Sequence, residues 1–349
     1  MTEITLCGYY GMCDSEGKSV GHTVKVTSEY YELLKTDNEV KIMASPSIVN
    51  GVGMNLKEVS TMLPYDIDNQ NLNSLKKRLI DKWKVLTNIR YCMKKVKKGT
   101  LFFYQVDFFF FLYMFFHRKI KDKKIICLIY HQNFSEGKCE KILQYIYRKA
   151  IVKIDGILYT QKGNPPIHKN IMWMPDYLYD EKKYSYYQKK IKQNKVVCVG
   201  TMNLYKQLEE LVHVFSSINY PLEIVGRFDD ENRFQKLLQI KTPNITIQNK
   251  ILDSKDYYET IGNAKFSILP YNMEKYKNRT SGVLLESIYV GSIPIAPQKL
   301  LKQNNLPGFG YMDMGELQDC LWMGYKMEDS FMDNPVFRAE ENAIRAFFS

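Results

Sequence analysis

Histidine is scarce in this chain, five in 349 residues, which leaves few side chains for a reaction centre that needs several converging imidazoles. The seven cysteines form no C-x-x-C pair and are odd in number, a pattern that fits free thiols in a reducing compartment and argues against a disulfide frame. No uninterrupted apolar run reaches spanning length, so a helix crossing a bilayer is not expected. A charged-then-apolar leader is not expected either, because Thr2 to Gly8 already reads as a strand. The glycines after that strand do not follow G-x-G-x-x-G, so a dinucleotide fingerprint is unsupported. Acidic residues are also in deficit, 38 Asp and Glu against 49 Lys and Arg, for a net charge of +11.

The deficit lies at one end. Residues 1–180 hold 27 Lys and Arg against 18 Asp and Glu, whereas residues 181–349 hold 22 against 20. A basic first half points to an anionic partner for that half. Hydrophobic content of 45% and charged content of 25% describe a soluble globular chain. Its length suits two domains better than one core.

The first half opens as strand (Ile4 to Gly8), glycine-punctuated loop (Gly8 to Gly21) and helix (His22 to Leu34), the last with apolar positions at roughly helical spacing. Val40 to Ala44 suggests a second strand. Asp66 and Asp68, one residue apart, have a spacing that can hold a divalent cation at a diphosphate; following Pro64-Tyr65 with no apolar strand ahead, they read as a turn. Asn69 to Lys98 reads as a long helix with ten basic residues and one acid, Asp81. Leu75, Leu79, Trp83, Leu86, Ile89 and Met93 give it an apolar stripe, so it suits an anionic membrane surface or a solvated face. Leu101 to Tyr104 reads as a strand. Phe108 to Phe116, FFFFLYMFF, is too short to span a bilayer and reads as a helix packed on the sheet, or else as an aromatic patch that enters a membrane surface beside the basic helix. Lys124 to Tyr130 is a strand with His131 at its carboxyl end, where ligands gather in open α/β sheets. Glu136 to Lys153 reads as a helix, Asp155 to Thr160 as a strand, and the polar, Lys- and Tyr-rich Asp180 to Asn194 as a linker.

Beyond it, Lys195 to Gly200 and Leu222 to Gly226 read as strands that each stop at a glycine, as expected where backbone passes close to a ligand. Lys206 lies in the loop after the first and Arg227 follows the second. The most informative stretch is Lys265 to Pro297. Phe266 to Pro270 and Ile293 to Ala296 read as strands, and between them Thr280-Ser281-Gly282 caps the apolar helix Val283 to Val290. A helix N-terminus presents unsatisfied amides and the positive end of a dipole, and a glycine there lets an anion approach the backbone. A phosphate suits Ser281-Gly282-Val283 beside Arg279, and Glu286, about one turn deeper, is placed to accept hydrogen bonds from sugar hydroxyls. The combination suits a nucleoside diphosphate with its ribose.

At these residues the chain resembles the GT-B glycosyltransferases, in particular the family 4-like group of the bacterial surface polysaccharide biosynthesis type. That group sets a loop, a small-residue helix start and a Glu ahead of a G-x-P-x-x-A strand, matched here by Gly291, Pro294 and, one place late, Pro297. Of the group's two Glu residues, Glu286 matches the second, which by resemblance binds the ribose; Asn278 stands at the first, the usual contact to the donor sugar. The resemblance implies diphosphate contacts for Gly200, Thr201, Lys206, Gly226 and Arg227, and base contacts for Ile251 and Leu252. It completes the donor set with Asn278, Arg279, Ser281, Gly282, Val283 and Glu286. Thr201 stands where the group carries an Arg, and Arg227 is the candidate for the missing charge. His131 falls where the group places a His near the donor sugar, and with Lys206 and Arg227 it makes up the catalytic candidates. Asp14, Glu16 and Lys18, in the first loop, become acceptor-side candidates.

The implied fold is α/β of the GT-B kind: two Rossmann-like doubly wound domains facing a cleft. Residues 1–180 would bind the acceptor, residues 195–334 the nucleotide sugar, and a C-terminal helix within 335–349 would return to the first lobe. The implied reaction moves a sugar from a nucleotide-diphosphate sugar to the hydroxyl of a lipid-linked or surface polysaccharide precursor, without metal or cofactor. Lys206, Arg227 and the amides of residues 281–283 would stabilise the departing diphosphate. Retention follows from the resemblance, whereas inversion would call on Asp14, Glu16 or His131 as general base. The expected setting is the cytoplasm, peripheral on the inner membrane face. The expected partners are a nucleotide sugar, a glycan or lipid-linked glycan and an anionic membrane surface, with no nucleic acid. Two other readings stay open. One is a nucleotide-sugar 2-epimerase, against which the few histidines count; the other is a catalytically silent, membrane-associated GT-B-like partner of another transferase, which Asn278 and Thr201 would explain.

Overall fold

The short apolar runs become two parallel sheets, each covered by the helices that parallel crossovers require. The computed structural model describes residues 2–14, 16–19, 23–68, 74–119, 121–130, 140–176, 178–276, 279–326 and 341–348. His131 and Asn278 lie outside the described residues. The chain divides into two units: Met1–Thr160 with Pro165–Met174 and Ala339–Ser349, and Gln161–Asn164 with Pro175–Arg338.

The first unit contains strands β1 (Thr2–Gly8), β2 (Met12–Cys13), β3 (Asn38–Ala44), β4 (Ser60–Met62), β5 (Ile67–Asp68), β6 (Gly99–Phe103), β7 (Lys123–Ile129), β8 (Gly156–Tyr159) and β9 (Ile171–Trp173). Seven form one sheet in the order β4-β3-β1-β6-β7-β8-β9, and β2 pairs with β5 apart from it. The helices are α1 (Thr23–Leu34), α2 (Pro46–Gly51), α3 (Met54–Lys57), α4 (Leu75–Lys95), α5 (Phe108–Phe116) and α6 (Glu140–Ile151). Side chains along β6 alternate faces, as a strand requires. Leu101 and Phe103 join the core formed with Val85, Ile89, Cys92 and Met93 of α4 and Phe110, Phe111 and Met114 of α5. Phe102 instead meets Tyr30 of α1 and Phe348 of the C-terminal helix, with ring centroids 5.5 and 4.8 Å away.

The second unit begins with α7 (Glu181–Gln188) and continues with α8 (Leu208–Ser217), α9 (Glu231–Ile240), α10 (Ser254–Gly262), α11 (Gly282–Tyr289), α12 (Gln298–Asn304) and α13 (Leu317–Lys326). Its strands β10 (Gln193–Val199), β11 (Leu222–Gly226), β12 (Ile245–Asn249), β13 (Ala264–Ile268), β14 (Ile293–Pro297) and β15 (Phe309–Tyr311) lie in the order β12-β11-β10-β13-β14-β15. The last helix, α14 (Glu341–Phe348), packs in the first unit, where Lys124 Nζ donates to Phe347 O and Arg345 pairs with Asp37.

Both sheets grow outward from their first strand on one side and then reverse. The reversals fall between β1 and β6 and between β10 and β13, the two places where loops at strand carboxyl ends diverge to leave a crevice.

Two local readings of the sequence change. Residues 180–194 are not a free linker: they contain α7, whose Tyr184 is wholly buried in the core of the second unit between Tyr179, Tyr258 and Tyr289. Asp66 is more than a turn residue, since its carboxylate accepts from Ser47 N and Ser47 Oγ at the start of α2. None of the six described cysteines is in a disulfide. No described helix is long and apolar enough to cross a membrane.

Candidate functional site

Three loops meet at the reversal point of the second sheet, and two glycines decide how closely. Gly200 ends β10 with φ +94, a left-handed conformation that favours glycine. Gly226 ends β11 so near it that a Cβ there would lie 1.8 Å from Gly200 O. The loops are then stitched by backbone: Met202 N donates to Arg227 O at 2.8 Å, Gln207 N to Pro270 O at 2.7 Å, and Asn272 N to Tyr205 O at 2.8 Å. The loop after β10 is thereby fixed between those after β11 and β13.

Lys206 sits inside this frame, only 4% exposed. Its Nζ donates to Val199 O at 2.6 Å and lies 3.8 Å from Met202 Sδ. A Cβ built on Gly200 would be 3.8 Å from Lys206 Nζ and 3.8 Å from Val283 Cγ2, so the ammonium and the first turn of α11 converge on one glycine. An ammonium has three N–H groups, which leaves donor capacity for an anion beside Gly200.

Ser281 is the N-cap of α11 but makes no capping bond with its side chain. Its hydroxyl is hydrogen-bonded to Tyr271 Oη at 3.3 Å, and Tyr271 stacks on Tyr276 at 3.9 Å. The amides of Gly282 and Val283 thus open α11 without a side-chain acceptor, the condition in which a helix start attracts an anion. Arg279 spreads its guanidinium over the rings of Tyr205 and Tyr276, 5.0 and 5.9 Å from their centroids.

Glu286 is buried, 5% exposed. Its Oε1 accepts from Tyr258 Oη at 2.7 Å and its Oε2 from Tyr257 Oη at 2.8 Å. The two tyrosines thus orient the carboxylate, one at each oxygen. Burial, then the Glu286 charge, push the Tyr258 phenol well above its ordinary pKa, which keeps it a donor.

The structure does not gather every residue named from the sequence. Arg227 is exposed and pairs with Asp229 at 3.3 Å, so its backbone joins the frame while its side chain does not. Thr201 and Ile251 are exposed, and Leu252 is half-buried against the core. Asp14, Glu16 and Lys18 form a self-contained turn: Asp14 Oδ1 accepts from the amides of Glu16 and Lys18 at 2.9 Å each, and the Glu16 and Lys18 side chains pair at 2.6 Å.

Sequence reasoning missed Arg233. It is buried, and its Nε and Nη2 hold both carboxylate oxygens of Glu209 while Nη1 and Nη2 donate to Asn203 O and Lys206 O at 2.7 Å each. That hydrogen bonding holds the Glu209 carboxyl below the usual range. A cavity of about 390 Å³ opens beside this clamp, lined by Lys206, Gln207, Arg233, Lys236, Asn272 and Lys275 among others. Glu209 and Arg233 stand on successive helices with no local pattern linking them. Tyr257 and Tyr258 were visible as helix residues, but nothing in the sequence aims them at Glu286.

No protein-family model matches the chain, and no curated protein matches it. Solved structures do. The N-terminal domain of trehalose-6-phosphate phosphatase from Candida albicans matches with a TM-score of 0.70 at 10% identity, over 99% of this chain and 96% of that one. An α,α-trehalose-phosphate synthase (UDP-forming) from Burkholderia xenovorans, in complex with glucose-6-phosphate, matches with 0.64 at 8%, over 100% and 98%. A putative UDP-N-acetylglucosamine 2-epimerase from Listeria monocytogenes matches with 0.59 at 12%, over 99% and 94%. With its two parallel-sheet, Rossmann-like α/β units, the chain has the GT-B fold.

Proposed function

We propose that this protein is a glycosyltransferase that binds a nucleotide-diphosphate sugar on its second unit and passes the sugar to an acceptor hydroxyl. The observation that carries this reading is the convergence of Lys206 and the uncapped start of α11 on Gly200, with the oriented Glu286 carboxylate on the same helix. Charge neutralisation by preorganised donors is often the largest contribution to departure of an anionic leaving group. Here Lys206 and the amides of Gly282 and Val283 supply it, and Glu286 accepts from the ribose. Arg227 joins them by leaving Asp229. Transfer proceeds without metal and with retention, and the acceptor is a lipid-linked or surface polysaccharide precursor met at the cytoplasmic face of a membrane. The similarity to a UDP-forming synthase supports the donor class, and the basic first unit supports an anionic membrane surface.

A thermal-shift screen of nucleoside diphosphates and their sugars tests the reading. One nucleotide series should raise the melting temperature, and Lys206→Ala should lose that response. A flat response to every nucleotide would sink the transferase and favour a silent partner of another enzyme. Release of a 2-epimerised nucleotide sugar, with no transfer to any acceptor, would favour the epimerase.

A further inference from the structure

The apolar stripe of α4 is not one surface. Its C-terminal half is covered, with Ile89, Cys92 and Met93 buried, but Leu75, Leu79 and Trp83 are 73%, 59% and 55% exposed. Where α4 meets α5, a groove of about 420 Å³ opens, lined chiefly by Trp83, Leu86 and Arg90 on one side and Tyr113, Phe116 and His117 on the other. Phe116 is 77% exposed at its edge. A folded helix normally turns such aromatics inward, and a large exposed apolar patch marks an interaction site. The volume is within the ordinary range for ligand clefts, about 300–1,000 Å³.

Two polar groups of this groove bear on what it can hold. Arg90 has no hydrogen bond or ion pair among the described residues, and His117 Nε2 is buried without a partner. The His117 ring is held by stacking on Tyr113 at 5.2 Å. Lys153 ties down the end of α5 by donating to Met114 O, Phe115 O and His117 O. Around it α4 is cationic, with Asp81 its sole acid and already paired to Lys77. An apolar slot with an exposed cation at its side, on a positive helix, complements an amphiphile with an anionic head.

We infer that the α4–α5 groove takes one acyl chain of an anionic membrane phospholipid, with its phosphate held by the exposed Arg90. The inference rests on the proposed work at an anionic membrane and names the lipid contact that would hold the protein there. Trp83, Phe116, Leu75 and Leu79 enter the interface, and the surrounding lysines meet neighbouring headgroups.

The test is sedimentation of the full chain with phosphatidylcholine vesicles, with and without phosphatidylglycerol. Binding should require phosphatidylglycerol. Arg90→Gln should weaken it about fivefold, and Trp83→Ala with Phe116→Ala at least about tenfold. Brominated acyl chains should quench tryptophan fluorescence in the native chain and much less in Trp83→Phe. Because these side chains are exposed, the variants should keep the native melting temperature.

Absence of vesicle binding overturns the inference. So does binding that Lys94→Glu with Lys95→Glu abolishes while the groove variants leave it unchanged, since charge alone would then explain it. Equal stabilisation by inorganic phosphate and by a soluble short-chain phosphatidylglycerol would remove any role for the chain. Self-association lost in Trp83→Ala would place a second copy in the groove instead. Nucleotide thermal shifts run on the same variants keep the two readings separate. A flat nucleotide response with intact lipid binding defeats the transferase alone, and the converse defeats the groove alone.

Discussion

The two sheets reverse direction in the same way, yet the two reversal points are built for opposite ends. Between β10 and β13 the chain places two glycines, a buried ammonium and an uncapped helix start. Between β1 and β6 it places aromatics. A Cβ on Gly8 would lie 2.1 Å from Tyr104 Oη, and Tyr9 Oη donates to Asp107 Oδ1 at 3.0 Å while its ring stacks on Phe110. The second crevice leaves donor capacity free, whereas the first is filled by its own side chains. Topology marks where a ligand can sit; side-chain volume decides which of two equivalent places stays available.

The largest effect expected from this comparison is at the paired glycines. Gly226→Ala drives a methyl group into the backbone of Gly200, which cannot move without breaking the loop frame. It should destabilise the second unit by about 3 kcal/mol and abolish nucleotide thermal shifts. Gly8→Ala meets the end of a side chain instead and should cost about 2 kcal/mol. Adding Tyr104→Phe should recover part of that loss, and calorimetric unfolding of the two single variants and the double variant checks it. Equal losses with no recovery would mean that the first reversal point is as constrained by backbone as the second.

Next in size are the lysines that close helices in each unit. Lys192 Nζ donates to Tyr187 O, Gly262 O and Val290 O, the ends of α7, α10 and α11. Lys153 does the same for α5 alone. Lys192→Met orphans three carbonyls on three elements and should cost about 2–3 kcal/mol, against about 1–2 for Lys153→Met. Burial lowers the Lys192 pKa to about 8, below its unfolded value near 10.4. Between those values the unfolded chain binds more protons, so this group makes stability rise with pH from about 8 to about 10.4. Lys192→Met should remove that rise, which denaturant titrations at several pH values would detect.

Much of this architecture was legible in the sequence because parallel strands buried on both faces are short, nearly unbroken apolar runs. Lys195 to Gly200 and Leu222 to Gly226 are such runs, and their terminal glycines did mark the loop frame. α9 and β15 were not found: α9 is polar on most of its surface, and β15 is three residues long. The stripe of α4 was readable as a stripe, but its division was not, because burial is conferred by α5, a partner that periodicity on one helix does not show. The same limit hid Arg233 and the tyrosines on Glu286, whose roles come from contacts between elements.

A moderate effect is expected at the cation of the frame. Lys206→Ala should weaken nucleoside diphosphate binding by about tenfold to a hundredfold, consistent with loss of a charge-assisted hydrogen bond of about 1.5–3 kcal/mol. Asp107→Asn at the other reversal point should leave that affinity unchanged. Titration calorimetry on both variants compares the two crevices directly. A loss of nucleotide affinity in Asp107→Asn would show that the first crevice also serves the donor.

The smallest effect separates the backbone of the frame from its side chains. Arg227 holds the loop through its carbonyl, which accepts from Met202 N, while its guanidinium is exposed and paired with Asp229. Exposed pairs of this kind contribute about 0–1 kcal/mol, so Arg227→Ala should leave stability within about 0.5 kcal/mol of the native value. If the guanidinium leaves Asp229 for the diphosphate only as negative charge develops, Arg227→Ala should lower kcat and leave nucleotide affinity nearly unchanged. Asp229→Asn should raise kcat modestly by freeing it. An unchanged kcat in both variants would confine the charge stabilisation to Lys206 and the amides of α11, with Arg227 contributing to the frame through its backbone alone.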